Sequence, residues 1–132
     1  MAAIDRPVAK PRPVYLNLFA IRMPLPAVVS ILHRASGALL FAIGIPLALC
    51  AVQNALVSQE AWAQMRVALD SPLPKLVVIV LAWAFIHHLL AGIRHLLMDA
   101  HVGLELSGAR RSAALTLVLS VVLTIAIAVR LW

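Results

Sequence analysis

The sequence predicts an all-α integral membrane protein with three transmembrane helices. Three observations predict it. Of 132 residues, 64% are hydrophobic and only 12% are charged. A soluble domain of that length has no core large enough to hide so much apolar surface. Three stretches, Ala35–Val52, Leu76–Ile93 and Ser112–Val129, each run 18 residues without Asp, Glu, Lys or Arg. That is close to the minimum for crossing ~30 Å of hydrocarbon. Unpaired backbone groups are not tolerated in lipid, so each run is read as a helix.

The elements follow in order. Residues 1–27 form a basic, Pro-rich segment. Its opening, "MAAIDRPVAKPRP", lacks an apolar signal-peptide core, and the first apolar run starts too deep for a cleaved one. With their flanks, helices near 28–53, 73–98 and 110–131 make up a transmembrane domain over residues 28–132. Pro46 is expected to bend the first helix, while Pro72 and Pro74 mark entry into the second. The uncharged run of the third has only Ser and Thr as polar residues, which assigns it packing and lipid contact.

Loop charges set the expected orientation. Arg6, Lys10, Arg12 and Arg22 precede the first helix, and Arg94, Arg110 and Arg111 flank the second connection. In the first connection Arg66 and Lys75 are opposed by Glu60 and Asp70. This bias places the N-terminus and the second connection in the cytoplasm and the C-terminus outside, with Arg130 a weak counterweight. The net charge of +6 sits beside membrane segments, so it is not evidence for nucleic acid. The single cysteine, Cys50, offers no disulfide and no Cys-rich metal site. Three helices alone make a poor channel or transporter. They fit an anchor, or half of a larger bundle.

Two polar clusters, distant in sequence, fall in the same leaflet under this orientation. The first is "SILHRASG", Ser30 to Gly37. Ser30, Arg34, Gly37, Phe41 and Gly44 are spaced to share one helix face. Gly37 and Gly44 would let another helix or a flat ligand approach the backbone. Alternatively, His33 and Arg34 snorkel to headgroups while Ser30 caps the helix.

The second cluster is "FIHHLLAGIRHLLMDAH", Phe85 to His101. His88 lies six residues before Arg94, roughly 9 Å deeper at 1.5 Å per residue. An imidazole at that depth needs a partner, and neutral imidazole is the usual protein ligand of haem iron. Ala91 and Gly92, one turn on, would leave room for a porphyrin plane. His95 shares the face of His88 and, like Arg94, could meet haem propionates or lipid phosphates. The competing reading of His88 is a hydrogen bond to a neighbouring helix. His87 points about 100° away, His101 lies past the helix end, and Asp99 is expected to pair with Arg94 or Arg110.

Together these clusters resemble the signatures of the cytochrome b subunit of succinate dehydrogenase, respiratory complex II. "RPVYLNLFAIRMPLPAVVSILHRASG", Arg12 to Gly37, holds the Arg-Pro start and the Ser-x-x-His-Arg-x-Ser pattern. "HLLAGIRHLLMD", His88 to Asp99, is similar to the family's His-x-x-x-Gly-Ile-Arg-His stretch. The resemblance implies a membrane anchor whose three helices form a bundle with a second small membrane-anchor subunit. A flavoprotein subunit and an iron–sulfur subunit would dock on its cytoplasmic face, at a bacterial inner membrane with the C-terminus periplasmic. Electrons from succinate would pass to ubiquinone, with no complete active site in this chain alone. Ser30 and Arg34 would belong to the quinone site. His88 would be an axial ligand of one haem b, shared with the partner subunit. His33, Arg34 and His95 would lie near the haem propionates. Association into trimers of heterotetramers is left open. Two other readings remain: a different quinol-linked haem b anchor with both ligands in one chain, and a non-redox scaffold.

Overall fold

The computed structural model describes residues 21–132, so most of the predicted N-terminal segment lies outside the described residues. Among the described residues, three helical stretches are long and apolar enough to span a membrane: Leu25–Val57, Pro72–Asp99 and Leu106–Leu131. The first comprises α1 (Leu25–Leu39), a π turn (Leu40–Gly44) and α2 (Ile45–Val57). It starts before residue 28 because Pro24 holds the extended lead-in and Pro26 sits in the first turn, where a helix needs no N–H. Pro24 is therefore the N-cap, and Ser30 lies inside the helix rather than capping it.

At the π turn the Ile45 N–H reaches back to the Leu40 carbonyl. Pro46 follows and supplies no donor. Such an irregularity redirects a helix. Accordingly α1 packs on the two later spans, whereas the backbone of α2 approaches neither. It leans instead on α3 (Gln59–Leu69), an exposed helix in the first connection that the apolar pattern does not predict. Ser58 starts α3, its Oγ accepting the Ala61 N–H at 3.0 Å. The splay opens an apolar cleft of about 1080 Å³ lined by Gly44, Ala48, Met65, Val77, Leu81 and Phe85 among others.

The second span, α4 (Pro72–Asp99), starts beside an ion pair in which Lys75 Nζ lies 2.7 Å from Asp70. Hydrogen bonding to Lys75, with its charge, holds the Asp70 carboxyl below its usual range. Lys75 also sits 5.8 Å from the Trp132 ring centroid, which brings the C-terminus to this end of the bundle. At the other end α4 stops in a Schellman motif. Val102 N–H bonds to the Leu97 carbonyl and His101 N–H to that of Met98. His101 adopts φ 63° there, a conformation more open to His than to most side chains.

Small residues let the spans close on one another. Val29, Ala84, Ala91 and Ala113 are fully buried. On α5 (Leu106–Leu131) the inward stripe is Ala113, Thr116, Ser120 and Thr124. The three hydroxyls bond to carbonyls of Ser112, Leu117 and Ser120 in the same helix, so nothing polar is left open. This fits the packing role the sequence predicts for the third span. Most of each span is still uncovered by its own chain: Phe41 is 76% exposed and Val129 74%. Lipid or another membrane protein must cover that surface.

Candidate functional site

The inner face of α1 is set by Val29, His33, Ser36 and Gly37, spaced one turn apart and turned toward α4. His88, in the middle of α4, enters this face. Its Nδ1 lies 3.0 Å from the His33 carbonyl oxygen and 3.3 Å from Ser36 Oγ. A carbonyl oxygen can only accept. The Nδ1 atom must therefore carry the proton and donate it, which leaves Nε2 as the lone-pair nitrogen of the neutral ring. That is the arrangement of an imidazole held for a metal through Nε2, with its other nitrogen oriented by a carbonyl.

Steric fit reinforces the hydrogen bonds. A Cβ at Gly37 would stand 2.7 Å from His88 Cε1, so only glycine lets the ring seat there. The small residue admits a side chain of the same protein instead of a flat ligand. Gly44 is less demanding: an added Cβ would meet Leu81 Cδ2 of α4 at an ordinary 3.7 Å, and its tightest neighbour is Leu40 of the same helix at 3.2 Å.

His33 lays its own ring over His88, with centroids 4.1 Å apart and planes 15° from parallel. The His95 ring lies 5.1 Å from that of His33, tilted by 48°. The structure thus brings His33, His88 and His95 together. Ala91 and Gly92 do not leave the open wall that their size predicts. Ala91 is buried in the core with Val29 and Ala113, and the His33 ring covers Gly92.

The predicted quinone residues lie to one side. Arg34 is exposed and Ser30 half-buried, and Arg34 has no ion-pair partner among the described residues. The face predicted from spacing divides: Gly37 and Gly44 turn inward, while Arg34 and Phe41 turn outward. Arg34 is therefore open to a second protein or a ligand on the outer side of α1.

Two side chains behave otherwise than the sequence suggests. Arg94 is only 5% exposed. Its Nε donates to Ser112 Oγ at 3.0 Å and its guanidinium to the Ala109 carbonyl at 3.4 Å. It ties α4 to the start of α5 and does not face headgroups. Asp99 makes no ion pair among the described residues, because α4 ends there and Arg94 points inward. Ser36, only 1% exposed, was not singled out by sequence, although its place in Ser-x-x-His-Arg-x-Ser was the available signal.

His87 is fully buried and stacks on Trp83 at 5.3 Å. Neither ring nitrogen makes a well-formed hydrogen bond among the described residues, the Val29 backbone of α1 offering only a poorly aligned one. An unsatisfied buried polar group costs ~1–3 kcal/mol. His87→Leu is therefore expected to raise the thermal inactivation midpoint and leave the spectrum of any bound chromophore unchanged. Heating the purified protein and recording its absorption checks both.

Among the described residues no three His, Cys, Asp or Glu side chains converge to hold a bare metal ion. The donor set suits an iron already held by a macrocycle and needing one imidazole from this chain. Residues 8–127 match the family model described as succinate dehydrogenase/fumarate reductase transmembrane subunit. The chain is 38% identical over 114 residues to a succinate dehydrogenase cytochrome b556 subunit of Paracoccus denitrificans, covering 86% of this chain and 87% of that one. It is 34% identical over 122 residues to the subunit of the same name from Coxiella burnetii, covering 92% and 97%.

Proposed function

The chain belongs to the succinate dehydrogenase/fumarate reductase transmembrane-subunit family, and from that premise we propose that it anchors a succinate:quinone oxidoreductase, binds haem b through His88 and contributes Ser30 and Arg34 to ubiquinone reduction. The observation that carries the haem reading is the commitment of His88 Nδ1 to the His33 carbonyl. It leaves Nε2 as the one ring nitrogen able to bind iron.

A bound haem would supply a one-electron centre. This chain's residues hold and polarise what meets it. Ser30 donates a hydrogen bond to a quinone oxygen. Arg34 adds fixed positive charge where negative charge develops on reduction, and such charge acts more strongly in a poorly hydrated pocket than in bulk water. His33, His95 and Arg34 would be the side chains available to the propionates. A second iron ligand and the proton donor would have to come from partner chains. A reading in which His33 is the second ligand is disfavoured by the stack. His33 offers its ring face, not a nitrogen, toward His88.

The partners are a second small membrane subunit, an iron–sulfur subunit and a flavoprotein subunit. Loop charge orients the N-terminal end of the bundle toward the cytoplasm at a bacterial inner membrane, where the soluble subunits dock. Purification of the tagged chain from its own membranes tests this. Flavin, iron–sulfur clusters and succinate-driven quinone reduction are expected to copurify. A preparation that carries none of them contradicts the proposal and leaves a scaffold.

A further inference from the structure

The His88 side chain touches three features of α1 whose only evident shared purpose is that ring: the His33 carbonyl, the Ser36 hydroxyl and the missing side chain of Gly37. We infer that these three form a socket that fixes the tautomer and tilt of His88 and thereby holds the potential of the iron it ligates low. This rests on the reading of His88 as a haem ligand.

The socket follows from helix geometry. Side chains on a helix lean toward its N-terminus, so the residue four places on ordinarily covers a given carbonyl. Four places after His33 stands Gly37. Its lack of a side chain uncovers the His33 carbonyl toward α4, and His88 Nδ1 reaches it at 3.0 Å. Ser36 completes the arrangement. Its Oγ donates to the same carbonyl at 2.9 Å. With its proton so committed, its lone pairs face His88 Nδ1 at 3.3 Å. The Nδ1 proton is thus shared between two acceptors: a change of tautomer would set a bare nitrogen lone pair against them, and a ring flip would replace the N–H with the Cδ2 C–H. The stacked His33 ring closes one face.

A proton held by two oxygens makes an imidazole a stronger electron donor through its other nitrogen. Stronger donation favours ferric over ferrous iron, so the socket lowers the midpoint potential. Ser36 is in this sense a positioning residue, acting through His88.

The test is a redox titration of the haem in the assembled complex, with the ferric low-spin resonance recorded on the same samples. Ser36→Ala is expected to retain haem, raise the midpoint potential and shift the resonance. Ser36→Thr, which restores the hydroxyl, returns both toward the parent. Gly37→Ala drives a Cβ into Cε1 and is expected to raise the potential further or expel haem while flavin content holds. An unmoved potential and resonance in Ser36→Ala overturn the socket. His88→Leu separates the two levels. If it keeps the parental spectrum, the ligand assignment itself falls. If it loses that spectrum while Ser36→Ala is unmoved, only the socket does.

Discussion

His88→Leu will empty the complex of its haem while the helices still insert. The change removes the one imidazole in the described residues that is both held by hydrogen bonds and left with a free Nε2. Leucine is apolar and favoured in a membrane helix, so insertion does not suffer. Rescue by a neighbour is blocked by packing. His87 is fully buried against Trp83 in the three-helix core. His33 would have to unstack from His88's place and turn a nitrogen where its ring face now lies. The expected result is near-complete loss of the reduced haem bands at unchanged flavin content. Difference spectra of membranes matched for flavin check it, and parental bands in the variant would refute it.

Arg34→Leu will slow succinate-driven quinone reduction far more than Ser30→Ala. The arginine carries fixed charge and several donors, and the serine one neutral donor. A hydrogen bond from a charged group contributes ~1.5–3 kcal/mol, which corresponds to roughly 10- to 150-fold in rate. A neutral one contributes ~0.5–1.5 kcal/mol, or roughly 2- to 10-fold. Arg34 is exposed and bonded to no acid among the described residues, so its loss leaves nothing unpaired inside this chain. Reduction of an artificial acceptor by the soluble subunits should therefore persist in both variants. If both rates fall together, the residues serve assembly. If neither falls, Arg34 only snorkels to headgroups.

The spans were legible because lipid imposes a simple rule. Three uncharged 18-residue runs can scarcely be anything but helices. The ends were less legible: proline caps such as Pro24 and Pro26 extend a helix into polar sequence that hydropathy does not register. α3 was missed because it is amphipathic and short, and its signal was the Ser58 cap rather than an apolar run.

Within the site, the histidines could be picked out singly because a polar ring in a membrane helix demands a partner. Their partners could not. The bond from His88 to the His33 carbonyl joins residues 55 apart and uses a backbone atom, so no side-chain pattern announces it. Periodicity put Gly37 and Arg34 on one face, yet about sixty degrees of helix separates seating a ring from facing a partner. Ala91 and Gly92 were recognisable as small, but smallness does not say whether a cofactor or a neighbouring helix fills the space. Here α1 fills it.

The most direct measurement of the central proposal is the molar ratio of haem b to flavin in the complex purified through this chain. One haem per flavin is predicted, because the proposal has this chain supply one imidazole and a partner chain the second. Two haems per flavin, or one haem retained by this chain alone with both ligands from its own histidines, would contradict the shared-haem anchor. No haem at all would return the histidine cluster to a packing role.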